Sequence, residues 1–395
     1  MSSSLKEVSD FIKLQFKTKE FIALHEPVFI GNERKYVLDA IDSTYVSSVG
    51  AYVNRFEEMM TDITGAKYAV ATVNGTSALH MSLIVSDVKK GDEVLTQSLT
   101  FIATCNAINY CNAKPTFIDV DSDTLGMSPL SLRIFLENNA IMRSDGFAYN
   151  RVTNSRIKAC IPMHTFGFPC RIDELRDVCE LWNIVLIEDA AESLGSYYKG
   201  LHTGNFGRIA AFSFNGNKTV TCGGGGAIVT NDKSMAQLAK HLTTQAKVQH
   251  PWAFIHDQIG YNYRMPNINA ALACAQLEQL NKFVEDKRVL ATLYKNAFLG
   301  LGISMLCEIP EARANYWLNG LILKDRQEQQ EFLEYLNHNG IMARPSWELM
   351  HRLEMFQNCA RGDLRNSEWI AERLINIPSG VRLSGIQKNC AANRN

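Results

Sequence analysis

The feature that most constrains the fold is an alternation of short apolar runs with helical patterns, which begins near Tyr68. The strand candidates are YAVATV, DEVLTQ, PTFIDV, IKACIPM, IVLIED, RIAAFSF and GAIVT, and helical spacing appears between them in SALHMSLIV, FIATCNAINYC and IDELRDVCELWN. Parallel strands need crossover connections long enough to hold a helix. The alternation therefore predicts an α/β domain whose mostly parallel sheet is covered by helices on both faces.

The pattern changes near Asn267. The stretch INAALACAQLEQLNKFVEDKRVLATLYKNAFLG predicts one or two long helices, because Ala and Leu fall on one face and charges on the other. Strand, helix and strand patterns follow in ANYWLNGLILK, QEQQEFLEYLNHNG and IMARPSW. A chain of 395 residues favours two domains. We expect a large domain with an N-terminal helix over residues 1–265, and a smaller α+β domain with the long linking helix over residues 266–395. The first 20 residues predict an amphipathic helix that packs on the body of the protein or on a partner subunit.

Composition excludes several classes of function. The formal net charge of −1 gives no electrostatic basis for binding nucleic acid or an anionic membrane. Ten cysteines without a Cys-x-x-Cys pair, and nine scattered histidines, predict free thiols in a reducing compartment and no metal site. No apolar run approaches the roughly 20 residues of a membrane helix. We therefore expect a cytoplasmic protein.

Ligands of parallel sheets bind beyond the carboxyl ends of the strands, and polar residues occupy three such ends. The first is VNGTSAL, in which Gly75, Thr76 and Ser77 start a helix directly after a strand. Free backbone N–H groups, two hydroxyls and the helix dipole form a cradle suited to an anion. The alternative is ordinary helix capping by Thr76 or Ser77.

The other two strand ends carry a carboxylate and an amine. Asp189 closes the apolar run IVLIED, where it could hold a ribose, a metal or a ring N–H, or only cap the next segment. Lys218 lies in FSFNGNKTVTCGGGGAIVTND, beside the glycine run 223–226. It is either a solvated loop lysine or a nucleophile, and the glycines either make a flexible hairpin or allow the backbone to pass close to a flat ligand.

An anion cradle, an acid and a lysine together match pyridoxal 5′-phosphate (PLP), which has a phosphate, a ring nitrogen and an aldehyde. The stretches HEPVFIGNERKYVLDAIDSTYVSSVG, FSFNGNK and GYNYRMPNINAALACAQLEQL resemble the DegT/DnrJ/EryC/StrS family of sugar-nucleotide aminotransferases. The resemblance spans about residues 21–379. It is greatest to the branch that acts on 4-keto-6-deoxy-N-acetylhexosamine nucleotides in legionaminic-acid and bacillosamine pathways. It implies the aspartate-aminotransferase-like architecture, PLP-dependent transferase fold type I.

The resemblance also implies roles for individual residues. Lys218 would bond to the cofactor's aldehyde and later accept and donate the proton at the substrate carbon. Asp189 would pair with the ring nitrogen, and Phe101 would stack on the ring or simply pack in the core. The remaining cofactor contacts implied are Gly75, Thr76, Ser77, Ser213, Glu192 and Asn262. Asn262 would reach the phosphate of the partner subunit, so a homodimer with shared active sites is implied.

Substrate contacts are implied at His164, Asn217, Arg264, Arg344 and Trp347. Two alternatives remain: His164 lies at a strand end and could be a packing residue, and Arg264 could form a surface ion pair. Glu192 departs from the family pattern, which has His or Gln at this position near the cofactor's phenolic oxygen. A carboxylate there would repel that oxygen unless it is protonated or paired.

The activity implied is transfer of an amino group from L-glutamate to C4 of a UDP-linked 4-keto-6-deoxy-N-acetylhexosamine, with the cofactor alternating between PLP and pyridoxamine phosphate, for bacterial surface-sugar biosynthesis. A 3-keto-sugar aminotransferase with a dTDP substrate is an alternative. A deoxygenase of the same fold is disfavoured, because such relatives replace the lysine with histidine. A regulator that senses PLP or a sugar nucleotide would need a DNA-binding module, for which the first 20 residues are too short.

Overall fold

The computed structural model describes residues 3–17 and 20–382. Its α-helices are α1 (Ser3–Phe16), α2 (Glu33–Asp42), α3 (Ala51–Thr64), α4 (Gly75–Val85), α5 (Ile102–Tyr110), α6 (Pro129–Asn139), α7 (Ile172–Leu181), α8 (Lys233–Thr243), α9 (Asn267–Leu277), α10 (Leu280–Leu299), α11 (Arg326–His338) and α12 (Arg365–Ala371). The helical stretch after Asn267 thus forms two helices, α9 and α10, which is one of the two expected arrangements.

The strands are β1 (Tyr68–Thr72), β2 (Glu93–Gln97), β3 (Lys114–Ile118), β4 (Ala140–Met142), β5 (Ala148–Asn150), β6 (Ile157–Ile161), β7 (Val185–Asp189), β8 (Tyr197–Tyr198), β9 (Leu201–His202), β10 (Ile209–Ser213), β11 (Gly226–Thr230), β12 (Lys247–Val248), β13 (Ile255–His256), β14 (Ser304–Met305), β15 (Ala312–Arg313), β16 (Asn319–Ile322), β17 (Arg344–Pro345) and β18 (Leu374–Ile377). Seven of them form the main sheet in the order β1-β11-β10-β7-β6-β2-β3. Only β11 runs antiparallel to its neighbours, so the mostly parallel sheet is confirmed.

Helices cover both faces of this sheet. Successive residues of β10 point to opposite sides: Ala210 and Phe212 pack in the core beneath α3 and α9, whereas Ile209 and Ala211 pack against α4 and α8. This two-sided burial explains why the strands are apolar along their whole length rather than alternating.

A smaller sheet follows in the order β14-β16-β18-β17 and packs with α10 and α11. It contains the expected strand–helix–strand unit, although the IMARPSW stretch gives only the two-residue strand β17. Helix α1 buries Leu5, Val8 and Ile12 in the core of this smaller unit, not against the main sheet. The N-terminal helix therefore packs with the C-terminal part of the chain, from which the predicted boundary at residue 265 separated it.

None of the helices in the described part of the chain is both long and apolar enough to span a membrane.

Candidate active site

The carboxyl ends of β1, β7 and β10 meet at one edge of the sheet, because these strands run in the same direction. Beyond β1 the chain turns at Asn74 and enters α4. The Asn74 side chain accepts a hydrogen bond from the Ser77 N–H at 2.8 Å, so the cap is Asn74 and neither Thr76 nor Ser77. The first N–H groups of a helix have no partner within the helix. Those of Gly75 and Thr76 are therefore available to an anion.

A cavity of about 300 Å³ opens at this edge. Its lining residues are Asn74, Gly75, Thr76, Leu79, Phe101, Ala103, Met163, Asp189, Ala191, Glu192, Ser213, Asn215, Asn217, Lys218, Trp317 and Trp347. The start of α4 after β1, the ends of β7 and β10, and the loop that carries Lys218 all contribute to it. The Ser213 side chain lies against Gly75, where an added Cβ atom would come within 2.8 Å of the Ser213 Cβ atom. The serine hydroxyl therefore sits beside the first turn of α4.

Asp189 ends β7 and lies at the floor of the cavity. Its Oδ2 atom accepts a hydrogen bond from the Thr104 hydroxyl at 2.6 Å, and its Oδ1 atom accepts one from the Ala191 N–H at 3.2 Å. Burial raises the pKa of this carboxyl, and among the described residues no cation lies within ion-pair distance of it. A buried acid held in place and lacking a cationic partner is suited to a positively charged ligand atom.

Lys218 extends into the cavity between Glu192 and Trp317. Its Nζ atom donates to Glu192 Oε1 at 3.0 Å and lies 4.1 Å from the centre of the Trp317 indole ring. Burial raises the pKa of the Glu192 carboxyl to about 7, although the neighbouring Lys218 ammonium opposes this shift. Lys218 is thus not a solvated loop lysine, because only 14% of its side chain is exposed.

Two aromatic rings form one wall of the cavity. The centres of the Phe101 and Trp347 rings lie 6.0 Å apart, and Trp347 packs on Phe166 at 4.9 Å. Phe101 is 46% exposed, which is far more than core packing would leave. The wall therefore presents aromatic surface to whatever occupies the cavity.

The glycine run has a different role from the one expected. None of the glycines 223–226 lines the cavity. Gly226 instead pairs with Thr72 and Ser213 in the sheet, and a Cβ atom on it would lie 2.4 Å from the Asn74 carbonyl oxygen. The run thus allows β11 to pass close behind the turn that starts α4, and it supports the anion cradle from outside.

We expect Gly226→Ala to destabilise the protein by about 1–3 kcal/mol, because the contacted atoms are backbone and cannot move aside easily. Chemical denaturation would measure this loss. Gly216→Ala is the matched control, because a Cβ atom there meets nothing within 4 Å. Equal stability of the two variants would show that the close contact at Asn74 carries no cost.

Several predicted site residues lie outside the cavity. His164 is fully buried and bonds through Nε2 to Glu188 at 3.0 Å, so the structure corrects its assignment as a substrate contact. Arg344 is exposed and bonds to Asn337 Oδ1, away from the cavity. Ser77 supports the cap through its N–H. Asn262 and Arg264 bond to each other at 3.3 Å and do not line the cavity of their own chain.

Sequence reasoning missed three residues at the site. The sequence predicts a strand at Trp317, but β16 begins only at Asn319, and the indole N–H donates to the Asn217 carbonyl at 2.7 Å. Thr104, the partner of Asp189, is hidden in an apolar helix pattern. The capping role of Asn74 could have been predicted, since asparagine before Gly-Thr-Ser is a strong N-cap signal.

Comparison with known families decides the identity. The DegT/DnrJ/EryC1/StrS aminotransferase family matches residues 29–390. The chain belongs to this family. It is 36% identical over 372 residues to a GDP-perosamine synthase of Escherichia coli O157:H7, which covers 93% of this chain and 96% of that protein. A GDP-perosamine synthase of Vibrio cholerae is 35% identical over 363 residues, covering 91% of this chain and 94% of that protein.

The fold comparison agrees with the family. The structure of Helicobacter pylori PseC, described as an aminotransferase involved in the biosynthesis of pseudoaminic acid, superposes with a TM-score of 0.83 at 22% identity, covering 94% of this chain and 98% of that one. The expected PLP-dependent transferase fold type I is confirmed. The protein is a PLP-dependent sugar aminotransferase of the DegT/DnrJ/EryC1/StrS family.

The side chains at the cavity fit this cofactor. The start of α4 with Ser213 offers donors to a phosphate. Asp189, which has no cationic partner among the described residues, offers a carboxylate to a protonated ring nitrogen. Lys218 offers an amine to an aldehyde, and Phe101 offers a ring face. When bound, PLP supplies an electron sink that stabilises negative charge on the substrate carbon.

Proposed function

We propose that this enzyme moves an amino group from L-glutamate to the C4 ketone of a UDP-linked 4-keto-6-deoxy-N-acetylhexosamine. The observation that carries the proposal is the placement of Lys218, Asp189 and the start of α4 around one cavity with Asn215 and Asn217 at its rim. In both halves of the reaction Lys218 would remove and return the proton at the carbon that carries nitrogen.

The cavity is suited to neutral sugar groups. Apart from Lys218, its polar lining consists of amides, hydroxyls and two carboxyl groups, which bond to hydroxyls and carbonyls. No arginine of the described chain lines it. The phosphates of a sugar nucleotide and the second carboxylate of glutamate therefore need cations from elsewhere, and Arg264 of a second copy is the candidate that we favour.

A GDP-linked 4-keto sugar is the second candidate, because the two relatives named above are GDP-perosamine synthases. The UDP-linked substrate is favoured by the resemblance of three stretches, HEPVFIGNERKYVLDAIDSTYVSSVG, FSFNGNK and GYNYRMPNINAALACAQLEQL, to the branch that acts on N-acetylhexosamine nucleotides. The two candidates differ in the base and in the group at C2 of the sugar, and both would be aminated at C4.

A panel of keto-sugar nucleotides tests this proposal. The enzyme would be converted with glutamate to its pyridoxamine phosphate form and mixed with UDP-linked 4-keto-6-deoxy-N-acetylglucosamine, with a GDP-linked 4-keto-6-deoxyhexose, or with a dTDP-linked 3-keto sugar. We expect the first to return the PLP spectrum fastest and to yield the 4-amino sugar. A larger kcat/KM for the GDP or the dTDP substrate would overturn the assignment of the substrate.

We also propose that the enzyme works as a homodimer with shared sites. The hairpin formed by β12 and β13 carries Trp252 and Phe254, which are 81% and 83% exposed, and Ile259 beyond it is 85% exposed. Exposed aromatic and aliphatic side chains in one segment are typical of an interface between subunits. The same segment leads directly to Asn262.

Mixing two inactive variants tests whether the subunits share their active sites. A Lys218→Ala subunit keeps Asn262, and an Asn262→Ala subunit keeps Lys218. If Asn262 serves the partner's site, each mixed dimer has one intact site, and random mixing restores about one quarter of wild-type activity. Activity no higher than that of the Asn262→Ala protein alone would show that Asn262 does not complete a partner's site.

A further inference from the structure

We propose that Glu192 is the proton partner of Lys218: it holds the free ε-amino group in the cavity and takes up its proton when the amine must be neutral. This inference rests on the proposed function, since it concerns the lysine that performs the amino transfer.

The two oxygens of Glu192 have different partners. Oε1 accepts from Lys218 Nζ at 3.0 Å, and Oε2 accepts from the backbone N–H of Phe166 at 2.8 Å. Only 1% of the Glu192 side chain is exposed. One oxygen is therefore anchored to the protein frame, while the other is directed at the lysine and can gain a proton without losing the anchor.

The anchor is itself held firmly. Phe166 has a φ of 56°, in the left-handed region that is unfavourable for a phenylalanine. Its ring is buried between Trp317 and Trp347. On the other side, the Asn315 side-chain amide donates to the Glu192 carbonyl oxygen at 2.8 Å. The carboxyl group is thus fixed from both its backbone and its side chain.

Trp317 completes the holding site. The Lys218 ammonium lies 4.1 Å from the centre of the indole ring, which is within the range of a cation–π contact. The indole is fixed by the bond from its N–H to the Asn217 carbonyl. An ammonium held between a carboxylate and an indole face has a defined position even when it is not bonded to a ligand.

The proton step is balanced within this pair. The ammonium of Lys218 gives one proton to Oε1 of Glu192 across the 3.0 Å hydrogen bond, and the products are a neutral amine and a neutral carboxylic acid. Only a neutral amine can react with an aldehyde or accept a proton from a substrate carbon. The reverse transfer restores the ion pair, so no external acid or base is consumed.

The charges around Glu192 suit this exchange. The titratable groups facing it are Lys218 and Asp189, the second of which disfavours a further negative charge. Burial has the same effect, so the neutral acid is accessible near pH 7. Protonation also removes the repulsion that a carboxylate at this position would exert on a phenolic oxygen.

Infrared difference spectroscopy tests the proposal directly. Apoenzyme would be loaded with PLP, and the C=O stretching band of a protonated carboxyl group recorded for wild type, Glu192→Gln and Glu192→Asp. We expect the band to appear on loading in wild type, to be absent in Glu192→Gln, and to return at least in part in Glu192→Asp. Glutamine keeps the shape but has one acceptor oxygen instead of two, so it can keep only one of the two hydrogen bonds, and it cannot take a proton.

The outcomes separate this proposal from the proposed function. Absence of the band in wild type, or an equal band in Glu192→Gln, overturns the role of Glu192 even if amino transfer proceeds. Failure of the wild type to load PLP at all would instead contradict the proposed function. If the ion pair were purely structural, there would be no carboxylic acid band, and wild type and Glu192→Gln would have equal pH profiles of kcat. We expect instead that the change in kcat near pH 7 is lost in Glu192→Gln.

Discussion

Lys218→Ala is expected to abolish the visible absorption band that wild type develops with PLP, and to lower kcat/KM for amino transfer by about 10⁴-fold. The reason is that the structure brings one amine into the cavity, the ε-amino group of Lys218, among the side chains that it describes. Without this amine, the cavity has no group to form the covalent link to the cofactor and no group to move the proton at the substrate carbon. Absorption spectra before and after glutamate, and steady-state rates, measure both effects.

Lys199→Ala is a suitable control, because Lys199 lies outside the cavity and pairs with Asp173. We expect it to keep the band and the rate. A Lys218→Ala protein that still shows the band and still responds to glutamate would place the reactive amine elsewhere. Restoration of some activity by added small amines would support the assignment, since an amine diffusing into the cavity replaces only the missing group.

The sequence predicted the parts of this protein that depend on local pattern. The alternation after Tyr68 gave the parallel sheet, because buried strands and crossover helices each leave a periodic signal. Strand direction then placed Asp189 and the start of α4 at one edge, whereas Ser213 was implied only by the resemblance to the family. The proximity of Asp189 to the start of α4 could be predicted from the sequence, because the carboxyl ends of parallel strands meet at one edge of the sheet.

The site predictions that failed concern contacts between distant segments of the chain. Trp317 reaches the site from a part of the chain about 100 residues beyond Lys218, and its apolar surroundings read as a strand. His164 resembled a ligand-facing residue at a strand end, but the chain turns so that its ring pairs with Glu188 beneath the site. No periodicity reports such a turn. The positive φ of Phe166 could not be predicted either, because the next residue, Gly167, is the one expected to adopt such a conformation.

Helix α1 shows a further limit. Its apolar spacing predicted an amphipathic helix correctly, but the pattern does not name the surface that the helix covers. The partner is the core of the smaller unit, which lies at the other end of the sequence. Packing of this kind is decided by chain topology, and the same helix pattern would suit either unit.

Asp189→Asn is expected to lower kcat/KM by about 10²–10³-fold while leaving the apoprotein as stable as wild type or more stable. The carboxylate charge would balance a protonated ring nitrogen, and the neutral amide cannot. Yet the same charge is costly in the apoprotein, because burial raises the pKa of Asp189 and no cation of the described chain pairs with it. Kinetics and chemical denaturation of the apoprotein measure the two sides of this trade-off.

Thr104→Val separates the charge of Asp189 from its orientation. It removes the hydroxyl that donates to Oδ2 at 2.6 Å but keeps the carboxylate and the bond from the Ala191 N–H. We expect a smaller loss of kcat/KM than in Asp189→Asn, because the charge remains. If instead Asp189→Asn kept wild-type kcat/KM, the carboxylate would be a structural cap, and its lack of a cationic partner would have no bearing on catalysis. Equal losses in both variants would mean that the position of the carboxyl group, set by Thr104, matters as much as its charge.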